Sequence, residues 1–262
     1  MTQEALKELE DLVGGYCKLV EAELSERITA WHPKFDEREM YQVIGGLLAR
    51  QVTLVVELAN APSAWNGHIA PLVLRSMVDG HITLSWIFQE PLERSRKFIL
   101  YGLGQEKLNL EHRRKQLEKQ GVNPDEDQGV KIKEMWINSQ QFTFLTEVNV
   151  GSWSGKTPRD MADEAGCIDL YNFAYCPFSS ATHNMWPHID AYNLESCTNP
   201  LHGGHKIAGI RKAPWDVDYL YRAAKYARKS FNLFDQKTGI KASSPSAFDF
   251  LCEWLKEKSK GA

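Results

Sequence analysis

The chain has 262 residues, with 31 Lys and Arg against 34 Asp and Glu, for a formal net charge of −3. At this length it can bury a full core without staples, and 43% hydrophobic with 25% charged residues describes a globular rather than a disordered protein. The near-neutral balance excludes a protein that coats nucleic acid by bulk charge, and no purely apolar run approaches the roughly 20 residues of a membrane span.

The N-terminus, Met1-Thr-Gln-Glu-Ala-Leu-Lys-Glu, is polar and lacks an apolar signal core. Leu6, Leu9, Val13, Tyr16, Leu19 or Val20, and Leu24 then step by three and four, one face of a helix over about 4–29, stopped by Trp31-His-Pro33. A second helix is predicted over about 36–60, ended by Ala61-Pro62, and a third over about 65–88. The third is apolar on most sides apart from Arg75, Asp79 and His81, which marks it as central. Pro91 opens a long charged helix to about Lys119, closed by Gly121, and a fifth is predicted over about 129–148. Thr157-Pro158 with Asp160 reads as the cap of a short helix ending at Gly166, followed by another from about Ile168 toward His183. Residues 187–213, with Asn199-Pro200 and Gly203-Gly204, read as a long irregular excursion, before two last helices over about 214–235 and 245–258. No alternating strand pattern and no internal repeat is evident. The expected fold class is all-α: a bundle of about 8–9 helices forming a single helical domain over 1–262, with its core in 36–188 and a C-terminal helical extension over 214–258.

Five scattered cysteines, Cys17, Cys167, Cys176, Cys197 and Cys252, include no Cys-x-x-Cys pair, which points to free thiols in a reducing, cytoplasmic setting. Gly151-Ser-Trp-Ser-Gly-Lys156-Thr157, after a strand-like Phe142–Val150, imitates a phosphate-binding P-loop. It has three rather than four residues between its glycines, too few for the backbone N–H groups to wrap a phosphate chain. Tyr171, Tyr175, Ser179 and His183 recur every four residues, a slowly drifting helical stripe with hydrogen-bonding and proton-transfer capacity. They form either a substrate-facing polar seam or a set of buried polar groups that satisfy one another. Arg75 and Asp79 are an i,i+4 pair that either neutralise each other or anchor a phosphate. His81 lies six steps from Arg75, on another face. His183, His188, Asp190 and His202-Gly-Gly-His205 suggest a metal, but their spacings fit no common site, and no metal or other cofactor is expected. No Gly-x-Ser-x-Gly elbow is present. Basic residues cluster at Arg113-Arg114-Lys115 and between Lys206 and Lys229, where seven Lys and Arg face only Asp216 and Asp218. These are either solvated faces or patches for RNA phosphates, and Tyr219, Tyr221 and Tyr226 interleave with the second cluster.

Taken together, Arg75-Ser-Met-Val-Asp79, Trp153-Ser-Gly-Lys156-Thr and Tyr171-x3-Tyr175-x3-Ser179-x3-His183 resemble a prokaryotic family, domain of unknown function 5677, over roughly residues 46–188. That family is similar in helical layout to the HEPN superfamily (higher eukaryotes and prokaryotes nucleotide-binding), many of whose members are metal-independent RNases acting as homodimers. The superfamily pairs an Arg with a His four to six residues later. The family's pattern ends in Tyr-Arg-x-Leu-Ser-x-x-x-His; here His183 matches the histidine and Ser179 the serine, while Cys176 stands where the arginine would be. The resemblance implies a cytoplasmic RNA-processing or RNA-binding protein of a defence or stress system, a metal-independent endoribonuclease if catalytic. Its expected partners are RNA, a second copy of the chain, and a protein from the same operon. The implied catalytic residues are His183, Arg75 and Asp79, with Tyr171, Tyr175, Ser179, Trp153 and Lys156 binding substrate. The alternative is a non-catalytic helical module that binds a small ligand or partner protein in the Tyr/Ser/His/Arg seam.

Overall fold

A computed structural model describes residues 2–32, 34–143 and 153–260, and the chain divides into two compact units. One comprises residues 1–33, 44–89 and 158–262, and the other 34–43 and 90–157. The all-α expectation holds: helices dominate, and among the described residues the strands are two three-residue segments.

In the larger unit, α1 (Gln3–Ala30) is capped by Thr2, whose hydroxyl accepts from Ala5 N at 3.2 Å. Of the predicted stripe, Val13, Tyr16 and Val20 are buried while Leu6 is exposed and Leu9 half-buried, and the buried face continues through Glu23 and Arg27 rather than Leu24. Helix α2 (Arg38–Ala59) runs from one unit into the other. By length and composition it is long and apolar enough to cross a membrane, and just under half of its most apolar stretch is buried.

Helix α3 starts at Ala70 and ends at Ile87, later than its apolar content suggests. The Asn66 side chain accepts from His68 N and Ile69 N at 2.9 and 3.2 Å, which holds a turn, and Trp65 is fully buried with its indole donating to Leu58 O at 2.6 Å. The core of this unit forms where α3 meets α6 (Pro158–Glu164), α8 (Cys176–Thr182) and α10 (Asp218–Thr238). Between α6 and α8 the chain passes Gly166 at φ +69°, a short α7 (Ile168–Leu170) and one π-helical turn, Tyr171–Tyr175.

Residues 187–213 are not irregular throughout. They hold most of α9 (Trp186–Tyr192) and an antiparallel hairpin, β1 (Leu194–Ser196) with β2 (Lys206–Ala208), in which Glu195 faces Ile207. Three-residue strands are too short for alternation to show, and the Asn-Pro and Gly-Gly pairs belong to the hairpin loop. Helix α11 (Ala247–Lys260) packs on α1 and α10. A buried ion network ties these three: Arg27 donates to both Asp235 oxygens at 2.6 and 2.8 Å, its guanidinium lies 4.3 Å from the Phe231 ring centroid, and Glu23 accepts from Ala247 N at 3.0 Å. Burial pushes the Glu23 carboxyl up despite Arg27 and Arg228.

The smaller unit is built on a hairpin of α4 (Pro91–Lys119) and α5 (Gln128–Thr143), whose core contains Leu110, Leu117, Val130 and Ile137. The predicted extension of α5 to 148, and the strand-like segment from 144 to 150, lie outside the described residues. In the Arg113-Arg114 cluster, the acidic turn between the helices pairs Arg113 with Asp127 at 3.0 Å and Arg114 with Asp125 at 2.8 Å, and Arg114 also pairs with Glu134 of α5.

Candidate functional site

The larger unit gathers most of the residues singled out in the sequence around Arg75. This residue projects from α3 toward the π turn and α8. Its Nε donates to Ser179 Oγ at 2.9 Å, Nη1 lies 3.5 Å from Asp79 Oδ1, and its guanidinium carbon sits 3.1 Å from the Tyr175 ring centroid. Tyr171 stacks behind Tyr175 with centroids 4.7 Å apart, and Ser179 Oγ donates onward to Tyr175 O at 2.7 Å. One cation is thus ion-paired, hydrogen-bonded and stacked on an aromatic face, which favours Arg over Lys here.

The π turn explains how residues spaced by four stay together. On a regular α-helix each step of four overshoots a full turn by about 40°. The wider turn over Tyr171–Tyr175 takes up that drift, so Tyr171, Tyr175 and Ser179 remain on one side. His183 does not join them. It caps the C-terminal end of α8, its backbone N donates to Ser179 O at 2.9 Å, and its side chain is exposed with no hydrogen bond or ion pair among the described residues.

The electrostatics follow from burial. Arg75 is 12% exposed and Asp79 49%. Burial pushes the Asp79 carboxyl above its ordinary value, while Arg75 pulls it back. The Tyr175 and Tyr171 phenols are pushed up by burial as well, Tyr171 also by the neighbouring Cys176 thiol. Cys176 is exposed.

Trp153 and Lys156 lie in the smaller unit. Trp153 packs edge-on to Phe98 at 5.0 Å, and Lys156 N donates to Ser154 Oγ at 3.1 Å in a turn that places Gly155 at φ +66°. The histidines do not form the grouping that suggested a metal. His188 packs against His68 and Tyr192, Asp190 pairs with Lys206, and His202 and His205 belong to the hairpin loop. The second basic cluster is largely engaged too: Arg222 pairs with Asp218, Arg228 approaches Glu23 and Asp249, and Arg211 donates to Ala191 O at 2.9 Å.

A cavity of about 580 Å³ in the same unit went unnoticed in the sequence, because its lining comes from separate segments: Gly67, Ser180, His188, Tyr192, Tyr219 and Arg222 among others. The Ser180 hydroxyl is buried with no hydrogen-bond partner among the described residues. Burial and His68 hold the His188 imidazole below its ordinary pKa. Tyr192 passes so close to Gly67 that a Cβ there would overlap its phenol.

Residues 41–199, more than half of the chain, match the model of a family of unknown function (DUF5677). No curated protein and no solved structure matches the chain.

Proposed function

We propose, for a chain that belongs to the DUF5677 family of unknown function, that it binds and processes RNA in the manner of HEPN proteins, with Arg75 as the phosphate cation and His183 as the proton-transfer group. Ser179 carries this reading. Its hydroxyl accepts from Arg75 Nε at 2.9 Å, and four residues further on His183, at the C-cap of the same helix, presents an exposed side chain. In the reaction the RNA 2′-oxygen bonds to phosphorus and the bond to the 5′ oxygen breaks. His183 takes the 2′-hydroxyl proton and a proton is returned to the departing 5′ oxygen, while Arg75 offsets the charge that builds on the phosphate. Asp79 and Tyr175 hold the guanidinium in place; Asp79, at 3.5 Å and half exposed, is the partner a phosphate would displace. Under this proposal the protein acts as a homodimer in a prokaryotic defence or stress system, with RNA and a protein of the same operon as its partners.

The test is cleavage of a mixed cellular RNA pool by the purified protein and by His183→Ala, with a metal chelator present throughout. Cleavage by wild type that falls about 100-fold or more in the variant is expected. Equal cleavage by both, or none by either, ends the nuclease reading. The cavity with its unpartnered Ser180 hydroxyl supports a second reading, a non-catalytic module that binds a small ligand. A compound that raises the melting temperature of wild type but not of Ser180→Val would favour it.

A further inference from the structure

The loop that joins β1 to β2 brings together three side chains with no part in the Arg75 cluster: Cys197, His202 and His205. One ligand atom from each, the thiol sulfur and a ring nitrogen of both imidazoles, lies within 4.8 Å of the others. Cys197 Sγ and His202 Nδ1 are 3.6 Å apart. Two ligands on a tetrahedral zinc ion, one sulfur at about 2.3 Å and one nitrogen at about 2.1 Å, are separated by about 3.6 Å.

We propose that this loop is a binding site for a thiophilic divalent ion of the zinc class, ligated by Cys197, His202 and His205 with a fourth position open to water or an exogenous ligand. The spacing, Cys-x4-His-x2-His, matches no common zinc motif, so the sequence by itself does not mark the loop as a site. The backbone supplies the preorganisation. Cys197 N donates to His205 O at 2.9 Å, closing the loop directly beyond the β ladder; His202 N donates to Asn199 O and His205 N to His202 O, both at 3.0 Å. Gly204, at φ +75°, makes a left-handed turn between His202 and His205, just before β2.

His202 turns Nδ1 toward the thiol, and its Nε2 lies 3.3 Å from the Asn199 side-chain nitrogen. Lys206, beside the loop, is paired with Asp190, so its charge is compensated. A thiolate with two imidazoles selects zinc-like over magnesium-like ions. An ion would add a cross-link to a hairpin with three-residue strands and largely exposed side chains. Binding displaces the thiol proton and any ring proton facing the ion, so it releases protons.

The test uses the full chain, stripped with chelator and titrated with Co²⁺. The expected result is one ion per chain, with thiolate-to-cobalt charge-transfer absorption and intense visible bands of tetrahedral cobalt, all displaced by Zn²⁺. Cys197→Ser abolishes the charge-transfer band, His202→Ala weakens binding at least about tenfold, and Cys176→Ser, at an exposed thiol elsewhere, changes neither. Circular dichroism confirms that each variant is folded. A charge-transfer band that survives Cys197→Ser, cobalt bound without a sulfur band, or no saturable binding would each overturn the site.

Discussion

Arg75 Nε and Ser179 Oγ, 104 residues apart in sequence, lie 2.9 Å apart in the fold, and the same hydroxyl donates to Tyr175 O at 2.7 Å. Ser179 is therefore a relay between the Arg75 side chain of α3 and the backbone of the π turn. Tyr175 completes the arrangement by stacking on the guanidinium.

Because the guanidinium is held by a directional bond and by an aromatic face, charge alone is not enough. Arg75→Ala is expected to lower RNA affinity about tenfold and to reduce the salt dependence of binding by about one counterion. Arg75→Lys recovers less than half of the lost binding free energy, because an ammonium lacks the planar fork that reaches Ser179 while stacking on Tyr175. Fluorescence anisotropy with a single-stranded RNA at several salt concentrations decides both. Equal affinities for all three proteins would remove Arg75 from the proposed interface.

Arg113 and Arg114 look equally suited to phosphates in the sequence, but Asp127, Asp125 and Glu134 already engage them. The double variant Arg113→Ala/Arg114→Ala should leave RNA affinity within about twofold of wild type, since exposed pairs contribute little and no open cation is lost. A drop as large as that of Arg75→Ala would move the RNA-binding face to the α4–α5 hairpin.

The bidentate Arg27–Asp235 pair is buried at its arginine end, with Glu23 beside it. Arg27→Met leaves Asp235 without its cation and Glu23 with Arg228 alone, and should destabilise the fold by about 3–5 kcal/mol, whereas Arg27→Met/Asp235→Leu should recover part of that loss. Urea unfolding followed by circular dichroism supplies both values.

His81, on α3, is buried against Ser230 of α10, with Nδ1 3.0 Å from a hydroxyl that donates to Tyr226 O. Burial, with Lys229 nearby, lowers its pKa from 6.5 to about 4. The unfolded chain therefore binds a proton that the folded chain refuses between these values. The stability attached to a neutral His81 is fully present above about pH 6.5, falls as the pH drops toward 4, and levels off below, a total on the order of 3 kcal/mol. Glu23 and Asp79, whose carboxyls are raised, act in the opposite direction, so the quantity to measure is the difference between wild type and His81→Leu. Urea midpoints at pH 7.5 and 4.5 should converge for the two proteins as the pH falls; a constant gap would rule the linkage out.

The helices, their order and the central place of α3 were legible in the sequence, because apolar residues recurring every three or four positions and Pro and Gly at the ends are local signals. The same periodicity placed Tyr171, Tyr175 and Ser179 on one side and paired Arg75 with Asp79. What stayed hidden depends on the path of the backbone between distant segments. Only the tertiary structure decided that Arg75 meets Ser179 and Tyr175, that a π turn keeps the stripe aligned while His183 is left at the helix end, and that an acidic turn neutralises Arg113 and Arg114. It also decided that Arg27 is buried at all, since its partner Asp235 is 208 residues away, and that Cys197 sits beside two histidines across a hairpin whose strands are too short to leave a pattern. Local periodicity reports which face of an element is buried; which polar groups meet there depends on long-range packing that no local spacing encodes.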